Sequence, residues 1–175
     1  CRASQSSTTV MTLGFQCGSS AESSTNAHIF HRCRVGASQQ NGFKLMNGNE
    51  NHLHQCTIEN AGADGSGNGV LFDTPTSGMS TRDSFVTECR FENNNTSAAK
   101  WLNIQSGVTK IRVINNYIAT TNGTHTDNAA DTEYRGNKSS SPVVSDKAFT
   151  AIDGDDGLGY SFTRTSSGGT DSDRE

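Results

Sequence analysis

Apolar residues are scarce in this sequence: they make up 31% of 175 residues, and the mean hydropathy is −0.63. An ordinary globular core is hard to build from so little. No apolar run approaches the roughly 20 residues a membrane-spanning helix needs, so membrane insertion is not expected. Basic residues are also short, 14 Lys and Arg against 18 Asp and Glu for a net charge of −4. A nucleic-acid surface would show a basic patch, so that class is not expected either. Charged residues reach only 18%. Disordered chains are usually charge-rich, and here the apolar residues gather into periodic phrases. Five cysteines cannot all pair within one chain. A disulfide framework would also not set three of them at matching places, which makes buried thiols the better reading.

What the chain does have is repetition. IFHRCRVG (29–36), HLHQCTIEN (52–60) and FVTECRFEN (85–93) are one phrase written three times, and RVINNYIAT (112–120) repeats it with Asn116 at the cysteine place. An apolar residue stands three before each centre (Phe30, Leu53, Val86, Val113) and another two after it (Val35, Ile58, Phe91, Ile118). A second phrase falls between: GFKLMNG (42–48), GVLFDTP (69–75), WLNIQSG (101–107) and, more loosely, AFTAIDG (148–154). The centres Cys33, Cys56, Cys89 and Asn116 lie 23, 33 and 27 residues apart. Self-similarity at such intervals marks a repeat architecture, and strand-sized cores with variable loops produce uneven spacing. A thin stack needs few apolar residues because each coil buries only a narrow strip against its neighbours.

Alternation assigns the faces. Cys33/Val35, Cys56/Ile58 and Cys89/Phe91 point inward, as do Phe43/Leu45, Val70/Phe72, Leu102/Ile104 and Phe149/Ala151. Arg32/Arg34, Gln55/Thr57, Glu88/Arg90 and Asn115/Tyr117 point outward. Gly36, Gly48, Gly62, Gly107 and Gly123 are the expected positive-φ corners. Residues 1–27 form an N-terminal segment or degenerate coil, and 28–123 the repeat coils. Residues 124–154 hold an insertion loop and a possible last coil, and 155–175 a polar C-terminal tail. The chain opens at Cys1 and is expected to be a processed product or a piece of a longer protein.

Apolar–x–x–Cys–x–apolar phrases alternating with glycine-led phrases resemble the right-handed parallel β-helix of the pectate-lyase-like superfamily, above all phage tailspikes and adhesins. The resemblance covers 28–123. It implies an all-β class: a right-handed single-stranded parallel β-helix, or solenoid, with an irregular C-terminal segment. It also implies a polysaccharide partner, a virion or extracellular location, and a homotrimer or larger particle, because open coil ends need partners. The superfamily holds lyases, hydrolases and inert fibres, so analogy alone does not choose among them. Three readings stay open: a polysaccharide-binding adhesin or fibre segment that can also depolymerise its ligand, a purely structural virion component, and a free lyase or hydrolase.

The candidate catalytic groups are carboxylates. Glu59 and Glu92 stack in one outward column on adjacent coils, near the ~5 Å carboxyl separation of retaining glycosidases. Asp73 and Glu88 are two further outward acids. The plain alternative is a set of solvated charges, with Arg34 and Arg90 as surface ion-pair partners of little energetic weight. Trp101, the only tryptophan, is placed outward by alternation and would stack on a sugar ring with Tyr117 and Arg90 beside it; the plain alternative is a ring partly buried under a loop. His28, His31, His52 and His54 cluster, but no cysteine or carboxylate completes a ligand set of the expected spacing. Neither a metal nor a cofactor is expected.

Overall fold

Phrases of three to five alternating residues make strands too short to stand alone, so each must find partners on both edges. The computed structural model describes residues 1–4, 11–21, 25–62, 67–92, 100–119, 125–129 and 131–139. The loose phrase 148–154, the tail 155–175, Asn93 and Gly123 lie outside the described residues. Every regular element described is a strand, and every pairing is parallel. The chain is all-β.

Four sheets share the strands. The first holds Arg2–Ser4, Arg34–Ser38, Thr57–Ala61, Arg90–Glu92, Tyr117–Ala119 and Lys138–Ser139. The second holds Phe15–Cys17, Phe43–Leu45, Asn68–Phe72, Lys100–Ile104 and His125–Asp127. The third, of two-residue strands, holds Thr25–Asn26, Gly48–Asn49, Thr81–Arg82 and Val108–Thr109. The fourth holds Ile29–His31, His52–His54, Phe85–Thr87, Arg112–Ile114 and Glu133–Arg135. The chain visits the sheets in that order and then begins again; one such pass is a rung. Each pass adds one strand to each sheet, except that the last described pass adds none to the third.

The expected inward residues are buried. Val35, Ile58 and Phe91 stack in register in the first sheet, and Leu53, Val86 and Val113 in the fourth, all without exposed surface. Phe43, Val70 and Leu102 form a third column, and Leu45, Phe72 and Ile104 a fourth. Cys33, Cys56 and Cys89 are buried free thiols on successive rungs. Hydrogen bonding with Cys56 and burial both push the Cys89 thiol up, and the same bond pushes Cys56 down. Asn116 continues their column with an amide: its Oδ1 accepts Cys89 N–H at 2.8 Å and its Nδ2 donates to Val86 C=O at 2.9 Å. Asn137 repeats the device one rung on, accepting Asn116 N–H at 2.9 Å.

Three expectations need correction. The stretch 124–154, expected to hold an insertion loop and a possible last coil, carries among its described residues His125–Asp127, Glu133–Arg135 and Lys138–Ser139, which add a strand each to the second, fourth and first sheets. Its phrase EYRGNKS places Tyr134 three before Asn137, as Val113 stands before Asn116. Second, Gly62 and Gly107 do have positive φ, but Gly36 and Gly48 do not. The corners are turned by residues with side chains. Arg32, Gln55, Glu88 and Asn115, each just before its column's Cys or Asn, have φ of 51, 54, 53 and 55°, and Gly136 has 63°. Ala27, Glu50, Asp83 and Lys110 do the same between the third and fourth sheets, at 58, 56, 50 and 54°. Third, Trp101 is buried, as described below.

A left-handed residue with a Cβ costs about 1–2 kcal/mol. Glycine removes that strain but loses about 0.5–1 kcal/mol in chain entropy. Ala37, with φ of 58°, has only a methyl group to lose. Ala37→Gly is therefore expected to raise stability by about 0.5–1 kcal/mol, whereas Ala61→Gly, at a buried strand position with ordinary φ, should lower it. Urea melts of both variants check the opposite signs; a loss in both would refute the strain argument.

Candidate functional site

Parallel pairing repeats each outward position directly above its counterpart, so surface chemistry is organised in columns. On the first sheet Arg2, Arg34, Thr57, Arg90, Tyr117 and Lys138 occupy one outward column in register. Arg2, Arg34, Arg90, Tyr117 and Lys138 are exposed. Arg90 lies over the Tyr117 ring, 5.3 Å from its centroid, a cation–π contact.

The neighbouring outward column holds Glu59 opposite Glu92, as the phrase alignment implies. Each carboxylate is committed to an arginine. Glu59 Oε2 receives Arg34 Nη2 at 2.6 Å, and Glu92 is bonded to Arg90 on its own strand. The arginine side chains remain 53% and 56% exposed, so both guanidiniums still face solvent. Ion pairs this open contribute about 0–1 kcal/mol. Asp73 is not brought to this column. It follows Asn68–Phe72 of the second sheet and pairs with Lys44 at 2.9 Å. Glu88 sits on the corner between the fourth and first sheets, where its Oε2 accepts Gln55 Nε2 at 2.8 Å. Gln55 Oε1 accepts Arg32 Nε at 3.0 Å, so three rungs are tied through their corner side chains. The four acids read as candidate catalytic groups thus occupy three separate places.

Trp101 does not face outward. It is 3% exposed, edge-to-face with Phe91 at 5.1 Å and tilted against His125 at 5.7 Å. The reason lies in register. Trp101 stands where neighbouring rungs have Gly14, Gly42 and Gly69, near the start of its strand, where two successive residues are buried and the alternation breaks. A methyl group on Gly42 would sit 2.7 Å from the Gly69 carbonyl and 2.8 Å from Ile58. The aligned phrases GFKL, GVLF and WLNI carry that signal, because a tryptophan in a glycine's slot cannot be assigned by counting from Leu102.

On the fourth sheet the outward columns begin with ring contacts. His31 stacks on His54 at 5.2 Å, and His52 meets Phe85 edge-to-face at 4.3 Å. Burial lowers the His52 pKa, with Glu50 opposing. Arg112 covers the Phe85 ring at 5.2 Å and pairs with Glu133 at 3.3 Å. Among the described residues no group of three or more His, Cys, Asp or Glu could hold a metal ion. No described helix is long and apolar enough to cross a membrane. No protein-family model, curated protein or solved structure matches this chain.

Proposed function

We propose that this chain is a segment of a right-handed parallel β-helix, of the pectate-lyase-like and tailspike kind, that binds an acidic cell-surface polysaccharide. The fixed cycle through four parallel sheets supports the coil, and right-handed crossovers are the rule for parallel strands in one sheet. The exposed column Arg2, Arg34, Arg90 and Lys138, with Tyr117 set into it, carries the binding reading. Cations repeated along a straight flank suit a polymer with repeating negative charge, and Tyr117 offers an apolar face to a sugar ring. On this reading the protein is an adhesin or fibre on a virion or outside the cell, working as a homotrimer or within a larger particle.

Capture on immobilised acidic polysaccharides tests the reading. Wild type should be retained, retention should fall as salt rises, and Arg90→Ala or Tyr117→Ala should weaken it at least fivefold. No retention of wild type, or retention indifferent to both variants, would refute it. Sizing of the polymer afterwards separates binding from depolymerisation. A second reading, a purely structural spacer, is favoured by the commitment of Glu59, Glu92 and Asp73 to ion pairs. That reading requires no retention at any salt concentration.

A further inference from the structure

We propose that a notch between the third and fourth sheets is a subsite for one neutral pyranose unit; this deepens the polysaccharide reading and rests on it for the polymer. Among the described residues the third sheet's last strand is Val108–Thr109, and the fourth continues one rung further with Glu133–Arg135. A cleft of about 300 Å³ lies along the corner between the two sheets, at the lower end of the range for small-ligand sites.

Two outward columns line the cleft across three rungs. Asp83, Lys110 and Asp131 form the corner column, and Phe85, Arg112 and Glu133 the column beside it. Ile111 is fully buried, so it contributes main chain to the floor. Neighbouring strands lie about 4.8 Å apart, so the outer rungs are roughly 10 Å from each other, room for a single sugar ring. Main-chain bonds fix the frame: Lys110 N–H donates to Asp131 Oδ1 at 2.7 Å, and Glu133 N–H to Ile111 C=O at 2.8 Å.

The side chains suit a hydroxyl-rich, uncharged ligand. Carboxylates accept from sugar hydroxyls, and Lys110 and Arg112 donate to hydroxyl or ring oxygens. The side of Phe85 and the stems of Lys110 and Arg112 supply apolar wall. Asp83 pairs with Arg82 at 3.5 Å and Glu133 with Arg112 at 3.3 Å, so the charges around the cleft balance and none is left over to attract an acidic sugar. The notch thus differs in charge from the column on the first sheet, and a polymer containing both neutral and acidic sugars would use both.

Titration of the full chain by amide-resolved NMR with methyl glycosides of glucose, galactose and mannose, and with a methyl uronide, tests this. At least one neutral glycoside should shift the amides of Lys110, Asp131 and Glu133. Lys110→Gly, whose φ of 54° glycine adopts freely, should weaken that glycoside at least tenfold with the fold intact. Arg90→Ala should leave it unchanged. Absence of shifts at these amides, stronger binding of the uronide, or indifference to Lys110→Gly would overturn the subsite. Polymer retained without any glycoside effect refutes the notch alone. Glycoside binding without polymer retention upholds the notch and refutes the polymer reading.

Discussion

Phe91→Ala is expected to lower stability by about 3–5 kcal/mol, which for a chain of this size moves the melting temperature on the order of 10 °C. The side chain has no exposed surface and stands between Ile58 and Ile118 in the first sheet. It meets Trp101 edge-to-face at 5.1 Å, and a Cβ on Gly69 would lie only 3.0 Å from its ring. Those neighbours are held by strand pairing above and below, so they cannot collapse into the space the ring leaves. A cavity therefore persists, and its lining loses dispersion contacts as well as the transfer term. Thermal and urea melts check the value; a loss below about 1 kcal/mol would mean that the interior column repacks freely.

The second large effect is expected at Asn116. Asn116→Ala removes the acceptor for Cys89 N–H and the donor to Val86 C=O, both inside the buried column. Each orphaned buried group costs about 1–3 kcal/mol, so a loss of about 2–5 kcal/mol is expected. Hydrogen exchange at the Cys89 amide should accelerate in the same variant, because that amide no longer has a fixed partner. A full melt with unchanged midpoint and unchanged exchange would show that water replaces the amide at no penalty. Asn116 was legible as a member of the cysteine column by position, but its chemical part, capping the last thiol rung, was not.

Alternation read the interior well because Val35, Ile58, Phe91 and their counterparts occupy strand centres, where period two holds. It failed at corners and at strand starts. Trp101 lies one residue before the regular run, where Asn68, Gly69 and Val70 are all buried in succession on the neighbouring rung. The left-handed corner residues escaped notice because Arg, Gln, Glu and Lys are poor markers of positive φ; for Arg32, Gln55, Glu88 and Asn115 only the common place before Cys or Asn betrays them. Cys1 holds the equivalent backbone place one rung earlier, with its side chain exposed, since its carbonyl accepts Arg34 N–H as Cys33 does for Thr57, and CRAS against CRVG was the available sign. For function, the Glu59–Glu92 pair was visible from phrase alignment. The notch was not, because Asp83, Lys110 and Asp131 share no phrase and meet only through the register of the corner.

The corners also divide the molecule into two kinds of flank. Leading into and out of the fourth sheet, the links Ala27–His28, Glu50–Asn51, Asp83–Ser84 and Lys110–Ile111, then Arg32–Cys33, Gln55–Cys56, Glu88–Cys89 and Asn115–Asn116, never change length. The links from the first sheet to the second, and from the second to the third, change at nearly every pass. Insertions thus accumulate on one side without disturbing strand register, while the other side stays a ruled surface. Loop length on the variable side is thereby free of the constraint that fixes the spacing of the strands beneath it.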